Sequence, residues 1–392
     1  MLKSFSFTHL SAGFVAILVG YTSSAAIIFQ AALAAGAGPE EVASWMWALG
    51  LGLGLGGIGL SLFYKAPIML AWSTPGAALL VTSLSGISMA EAIGAFFFSS
   101  ALMLLCGLTG LFDRFMTWVP ESLARAMLAG ILLQFGLSIF PAFESSVIMV
   151  GAMVTAFVIG TWRRSAYTIP MTFLTGVVIA LVQGRIDVTA MTFELTTPVW
   201  TTPSFDPAVL IGIGLPLFIV TMASQNVPGL ATLRAHDYKT PASPIISLTG
   251  ALGLIFGGLG GFAYNLAAIT AALCMGEHVD KDPKRRYWGA VWAGVFYLLA
   301  GLFGATVASF FASFPQALVA TIAGLALLGT IATSLHVALA RAEGREAAIL
   351  TFVITASSGS LLDIAAPFWG LVCGLGVHYL LTAGKRNPKA PS

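Results

Sequence analysis

Leu70-Ala71-Trp72-Ser73-Thr74-Pro75-Gly76-Ala77-Ala78-Leu79-Leu80 sits inside an apolar stretch that runs from Lys65 to Glu91. The stretch is hydrophobic enough for a bilayer and too broken for an ordinary spanning helix. Pro75 has no backbone N–H, and its ring clashes with a preceding helical turn. Gly76 adds backbone freedom. Ser73 and Thr74 stand where N-cap residues stand, with Pro75 in the first turn behind them. The spacing predicts extended chain to about Ser73, then a short helix from Thr74 to about Leu84. A helix begun inside a membrane aims N–H groups and the positive end of its dipole into the protein. Interrupted spans of this kind build binding sites in secondary transporters. A kinked helix with a structural proline is the alternative reading.

The rest of the chain reads as a polytopic membrane protein. Of its 392 residues, 58% are hydrophobic and 9% charged, against about 25% charged in soluble domains. A net charge of +2 leaves no basic footprint for nucleic acid. Lys3 and His9 lead straight into a full-length span, so no cleavable leader is expected. Cys106, Cys274 and Cys373 are far apart in apolar segments and match no metal or redox spacing. They are expected to be buried and inert. No metal, no cofactor and no nucleophile–base pair is visible, so an enzyme is not expected.

Apolar stretches fall at about 10–35, 45–64, 67–84, 91–111, 121–140, 144–162, 165–184, 207–230, 243–262, 264–276, 286–311, 315–340, 346–360 and 362–383. Stretches 3 and 10 are short for a straight span of roughly 20 residues. Charge argues that they cross nonetheless. With a cytoplasmic N-terminus and fourteen crossings, Arg185 is the one basic residue of eighteen left outside. Omitting either short segment puts the later loops on the wrong side of the positive-inside rule. The expectation is therefore an all-α polytopic membrane protein with both termini cytoplasmic. Its 14 transmembrane segments form two inverted 7-segment repeats, with segment 3 matching segment 10. A faint echo, Thr74-Pro75-Gly76-Ala77-Ala78-Leu79 beside Ile269-Thr270-Ala271-Ala272-Leu273, accompanies that match. The external loop from Arg185 to Asp206 joins the halves. In it Thr192–Leu195 and Pro198–Trp200 could form a short strand or an interfacial piece, and no chemistry is read there.

Polar residues in the spans supply the candidates. Segment 8 carries Ser224-Gln225-Asn226 ahead of Pro228-Gly229. These groups are costly in hydrocarbon unless each finds a partner. The two amides could hold a carboxylate, or could simply join helices. Segment 1 carries Tyr21, Ser23, Ser24 and Gln30; Ser23 and Gln30 are seven apart and share a face. Here close helix packing is the plainer reading. Segment 10 offers Asn265 as a cap for a second half-helix, followed by Ile269 and Thr270. Ser73, Thr74, Gly76 and Ala77 form the facing N-terminus. Two such helix ends suit an anion held by dipoles and neutral donors, since no basic residue lies deep in a span. Glu91, Asp113, Glu121, Glu144 and Asp363 all lie near span ends, and Glu91 is the candidate for proton coupling. The glycines from Gly50 to Gly59 read as a packing face. Phe96–Phe98 read as lipid-facing or core.

Laid out this way, the chain resembles the BenE family of benzoate–proton symporters nearly end to end. The resemblance rests on Gly20-Tyr21-Thr22-Ser23-Ser24-Ala25-Ala26-Ile27-Ile28 with Gln30, on Ala71–Leu80, and on Ala126–Leu133. It rests also on Leu215–Phe218 running to Met222–Gly229, and on Ala267–Ala272. It implies a UraA-like fold, similar to the uracil and nucleobase–ascorbate permeases. Short strands would precede the half-helices of segments 3 and 10. Core parts would cover residues 1–113 and 207–312, and gate parts 114–206 and 313–392, with the gate as the homodimer contact. It implies import of benzoate or a related aromatic monocarboxylate with protons across a bacterial inner membrane. Tyr21 or Tyr264 would stack on the ring. A passive anion channel, or a transporter of another small organic anion or nucleobase-like substrate, is the alternative. One departure stands out. Uracil permeases place glutamates near Ser224 or Gln225 and near Tyr264, and here those places are neutral. Either a peripheral acid such as Glu91 couples the proton, or the aromatic acid brings it.

Overall fold

Helix α1 spans Phe7–Ala34 and begins at Ser6, whose hydroxyl accepts from the Thr8 N–H. Helix α2, Pro39–Tyr64, opens with proline in its first turn and with Glu40 and Glu41 at its positive end. The Glu41 carboxylate accepts from the Gly38 N–H at 2.8 Å. Strand β1, Leu70–Trp72, leads into helix α3, Thr74–Ser83. Helices α4 (Met89–Leu108), α5 (Glu121–Leu137), α6 (Ile139–Ser145), α7 (Val147–Trp162) and α8 (Thr168–Val182) complete the first half. The second half begins with the long helix α9, Pro207–Ala235. It continues through α10 (Ala242–Phe256), strand β2 (Tyr264–Leu266) and the four-residue α11 (Ile269–Ala272). Then come α12 (Tyr287–Leu302), α13 (Gly304–Ala312), α14 (Gln316–Leu339) and α15 (Arg345–Ala356). A two-residue hairpin pair, β3 (Ser360–Leu361) and β4 (Ile364–Ala365), precedes α16 (Ala366–Lys385). This computed structural model describes residues 6–111, 120–163, 167–186, 192–277, 279–357, 359–362 and 364–385.

Among the described residues seven helices are long and apolar enough to cross a membrane, or eight when the 283–302 and 304–312 pair counts as one bent span. Helix length alone thus gives fewer than fourteen crossings. Segments 3 and 10 divide into strand and helix, α7 and α8 are short, and segment 13 stops after twelve residues at Ala356.

Glycine sets the closest contacts. Helix α2 packs along α12, and a Cβ on Gly50 would overlap the Cα of Gly301. Helix α4 packs along α10 in the same way, with Gly250 against the Leu104 backbone and Gly253 against Ser100. Without a hydrophobic drive between helices in lipid, such small-residue faces let backbones approach and dispersion accumulate. Trp45, Phe96 and Phe262 then interlock α2, α4 and the segment before β2, with ring centroids 5.1–5.6 Å apart. Phe96 is therefore core. Cys106 and Cys274 are buried, but Cys373 on α16 is exposed, contrary to the expectation for all three.

The connector 192–206 forms no strand. It is hydrogen-bonded to five helical elements in turn. Glu194 N donates to Thr306 Oγ1 (3.1 Å) and Thr196 N to the Leu302 carbonyl (2.9 Å). Val199 N donates to Ser44 Oγ (3.0 Å), Thr201 N to the Gly258 carbonyl (2.7 Å), and Ser204 N to the Ala90 carbonyl (2.8 Å). At the other end of α1, the His9 ring meets the Asp280 carboxylate at 3.0 Å. Burial raises the Asp280 carboxyl, but the Asp282 N–H, His9 and Arg285 outweigh it, so the group lies below its ordinary range.

The α2–α12 contact gives a direct test. Gly50→Val should cost about 1–3 kcal/mol through overpacking and lower the melting temperature of the detergent-solubilised protein. Gly59→Val, where added carbon meets open space, should leave it unchanged. Equal melting temperatures for both variants would contradict the packing described.

Candidate functional site

Four elements converge where the chain is interrupted. Strands β1 and β2 pair antiparallel, with Leu70 opposite Leu266, Ala71 opposite Asn265 and Trp72 opposite Tyr264. Two further bonds extend the ladder: Ser73 N to the Ala263 carbonyl (3.1 Å) and Ala267 N to the Met69 carbonyl (3.0 Å). Every residue of β2 is buried, so these bonds satisfy peptide groups that have no other partner.

Ser73 caps α3 as its sequence predicts. Its hydroxyl accepts from the Gly76 N–H at 3.0 Å, and its carbonyl accepts from Ala77 N at 2.7 Å. Pro75 has no N–H. Among the described residues the Thr74 N–H makes no hydrogen bond, and it lies in the first turn beside the residue's own half-buried hydroxyl. Gly76 is required because Leu217 of α9 and the Ser73 side chain fill the space a Cβ would need. Ala77 is fully buried.

Helix α9 reaches this point through two widened turns, 210–214 and 222–226. In each, the N–H just before a proline reaches back five residues: Leu215 N to the Leu210 carbonyl before Pro216, and Val227 N to the Met222 carbonyl before Pro228. Proline removes an ordinary helical bond, and the wider turn accommodates its ring. The second turn carries the amides. Asn226 Oδ1 accepts from the Leu266 N–H (3.0 Å), and its Nδ2 donates to Met222 Sδ (3.2 Å). Asn226 thus holds β2 against α9. Ser224 donates back to the Val220 carbonyl. Gln225 is half-buried and makes no side-chain hydrogen bond among the described residues.

Helix α1 forms the third wall. The Trp72 indole N–H donates to Ser24 Oγ (2.8 Å), which donates to the Gly20 carbonyl (2.9 Å). Ser23 also donates to Gly20 (3.0 Å). The Tyr21 ring meets Trp72 edge-on at 4.9 Å and Tyr297 of α12 at 5.9 Å. Thr270 lies near Gly20. Three buried polar atoms of these elements have no partner among the described residues: Tyr21 Oη, Asn265 Oδ1 and Thr221 Oγ1. Buried polar groups are normally bonded, and these three are left without a protein partner among the described residues.

Several expectations need correction. Asn265 does not cap α11: it lies within β2, its Nδ2 donates to the Ala263 carbonyl (2.8 Å), and Ala268 takes the cap position with no side-chain bond. Helix α11 has four residues, so its dipole is weak beside that of the ten-residue α3. Tyr264 faces away: its hydroxyl donates to the Ala48 carbonyl (2.7 Å), and its ring fills the gap at Gly52. Gln30 lines a separate cavity of about 670 Å³ at the C-terminal ends of α1 and α3, together with Thr82, Gln134 and Gln316. Glu91 is held in a capping box at the start of α4, where its carboxylate accepts from Ser88 N (2.9 Å) and Ser88 Oγ (2.6 Å). The Ile269 side chain, Asp113 and Asp363 lie outside the described residues. Trp72 and Tyr297 were not singled out from the sequence. Trp72 belongs to the interrupted stretch 70–80, and Tyr297 is a buried tyrosine in the middle of the apolar helix α12, a signal of the same kind as Tyr21.

This geometry can be compared with known proteins. A family model described as "Benzoate membrane transport protein", BenE, matches residues 3–380. The chain belongs to the BenE family. Inner membrane protein YdcO of Escherichia coli (strain K12) is 46% identical over 372 residues, which cover 95% of each chain. The benzoate membrane transport protein of Acinetobacter baylyi (strain ATCC 33305 / BD413 / ADP1) is 35% identical over 385 residues, covering 98% of each. Among solved structures, the transmembrane domain of a cyanobacterium bicarbonate transporter, BicA, shares the fold. It has a TM-score of 0.57 at 13% identity, over 94% of this chain and 97% of that one. This BenE-family chain is a multi-pass membrane transport protein and not an enzyme.

Asn226 offers the sharpest test of the crossing. Asn226→Asp keeps the acceptor for Leu266 N and should preserve expression and monodispersity, while its charge should abolish uptake of an anionic substrate. Asn226→Ala leaves that N–H unpaired and should cost about 1–3 kcal/mol of stability, read as a lower melting temperature. Full uptake by Asn226→Asp would remove this residue from the site.

Proposed function

We propose that this protein imports benzoate or a related aromatic monocarboxylate together with protons, by alternating access across a bacterial inner membrane. The observation that carries this reading is the Ser73-capped end of α3. It is a positive helix terminus at which, among the described residues, the Thr74 N–H has no partner, and Tyr21, whose Oη is likewise unpartnered, packs on the adjoining Trp72. A carboxylate is held there by the dipole and neutral donors. The ring packs against Tyr21 and the Trp72–Tyr297 pair. The names of the Acinetobacter relative and of the bicarbonate transporter point the same way, to a small carboxylate-bearing anion.

The reading includes fourteen segments in two inverted repeats. In support, α2–α12 and α10–α4 are the same pairing seen from each half, and α7–α8 matches α15–α16. The β1–β2 ladder maps onto itself. The basic loops at 234–239 and 281–286 favour cytoplasmic termini. The core segments then carry substrate past the gate segments. Coupling needs no acid in the protein. Glu91 already serves the α4 cap, and Asn265 Oδ1 is an acceptor suited to the O–H of a protonated carboxylic acid.

Uptake into proteoliposomes tests this. Benzoate should enter saturably, stop with a protonophore, and exchange in counterflow with salicylate but not with uracil or sulfate. Ser73→Ala should lower uptake roughly tenfold, the loss of about one charge-assisted hydrogen bond. Glu91→Gln, which preserves the capping geometry, should leave proton uptake per benzoate unchanged. A unitary conductance would replace the symporter by a channel, and altered stoichiometry in Glu91→Gln would restore that residue as the coupler.

A further inference from the structure

The cavity at the outer ends of α1 and α3 does not belong to the crossing. Gln30 stands nine residues beyond Tyr21 on α1, and Thr82 eight beyond Thr74 on α3. At 1.5 Å per helical residue these offsets are about 13 and 12 Å, longer than a single-ring acid. One ligand cannot touch both levels.

The cavity has the chemistry of a site. Its volume of about 670 Å³ lies in the range of small-molecule pockets, roughly 300–1,000 Å³. Phe135 of α5 and Phe311 and Phe314 around the end of α13 supply an aromatic wall. That wall is fixed from behind: Phe173 of α8 stands against Phe314 at 5.4 Å, and Phe310 against Phe314 at 4.6 Å. Polar groups face it from two sides. Gln30 on α1 and Gln316 at the start of α14 make no side-chain hydrogen bond among the described residues, so both amides are free to donate. Gln134 is occupied, since its Nε2 donates to the Ala356 carbonyl at 2.7 Å. Among the described residues no charged side chain lines the cavity. An anion there is neither repelled nor trapped, which suits a station a substrate must leave.

We propose that this cavity is an outer subsite for an aromatic carboxylate, occupied before the crossing. The ring lies on Phe135, Phe311 and Phe314, and the carboxylate accepts from Gln30 and Gln316. The proposal rests on the function proposed above, and it assigns selection for an aromatic ring to this cavity. Because Gln30 and Gln316 come from different helices, α1 and α14, the subsite is complete only while those helices keep their relative position.

Single cysteines at Gln30 and Gln316, in a Cys373→Ser background, test it with a membrane-impermeant thiol reagent applied outside. Benzoate should slow labelling at both positions about fivefold or more, the protection expected of a site that keeps one amide hydrogen bond and its ring contacts in each cysteine variant. Acetate should not. Protection should persist when Ser73→Ala is added and uptake has fallen. Gln30→Ala and Gln316→Ala should each raise KM for benzoate by roughly fivefold with little change in maximal rate. Absence of labelling, equal protection by acetate, or protection lost along with Ser73 would each overturn the outer subsite. Failure of wild-type protein to take up benzoate would instead overturn the function on which it rests.

Discussion

A peptide group in a dry interior has no partner except another polar group of the protein, and this chain buries two extended segments side by side. The β1–β2 ladder answers that constraint, and the rest of the site follows from it. Because the ladder holds Ser73 N against Ala263, α3 must begin at Ser73. Because Asn226 satisfies Leu266 N, the widened turn of α9 must lie beside β2. Gly229 follows from the same contact, for any Cβ there would overlap Leu266. The interruption is thus a shared structure to which α1, α2, α9 and α10 are fitted, and replacing it by straight helices would leave its polar groups and glycines without purpose.

The crossing is also electrically quiet. Its donors are hydroxyls, one indole, amides and a helix end, and among the described residues no carboxylate, lysine, arginine or histidine joins them. A neutral site of this sort can bind an anion without confining it, since desolvation of the ligand is offset by oriented dipoles and not by a full opposite charge. In the proposed cycle that balance favours turnover over tight binding. It also removes the need to protonate a buried carboxylate before an anion can approach.

Much of this was legible in the sequence where chemistry is local. Ser73 and Pro75 determine the start of α3 within four residues, so the boundary could be read directly. The amides of segment 8 announced themselves by their cost. Side-chain direction was less legible. Asn265 looks like a cap until Asn226, far away in the chain, draws Leu266 into a strand and shifts the helix start to Ile269. Tyr264 turns toward Ala48, 216 residues away, because Gly52 leaves room for its ring. Gln30 and Tyr21 share a helix, and only the facing helices α5 and α14 reveal that they serve different levels. The four-residue α11 fell below what hydropathy can delimit.

The connector 192–206 read as featureless, yet it is fastened to α13, the end of α12, α2, the turn after α10 and the start of α4. Backbone donors make most of those attachments, so they do not depend on any particular side chain of the connector. Load placed on one of these helix ends passes to the others along a single covalent thread. The connector therefore ties five helix ends to one another at a single rim.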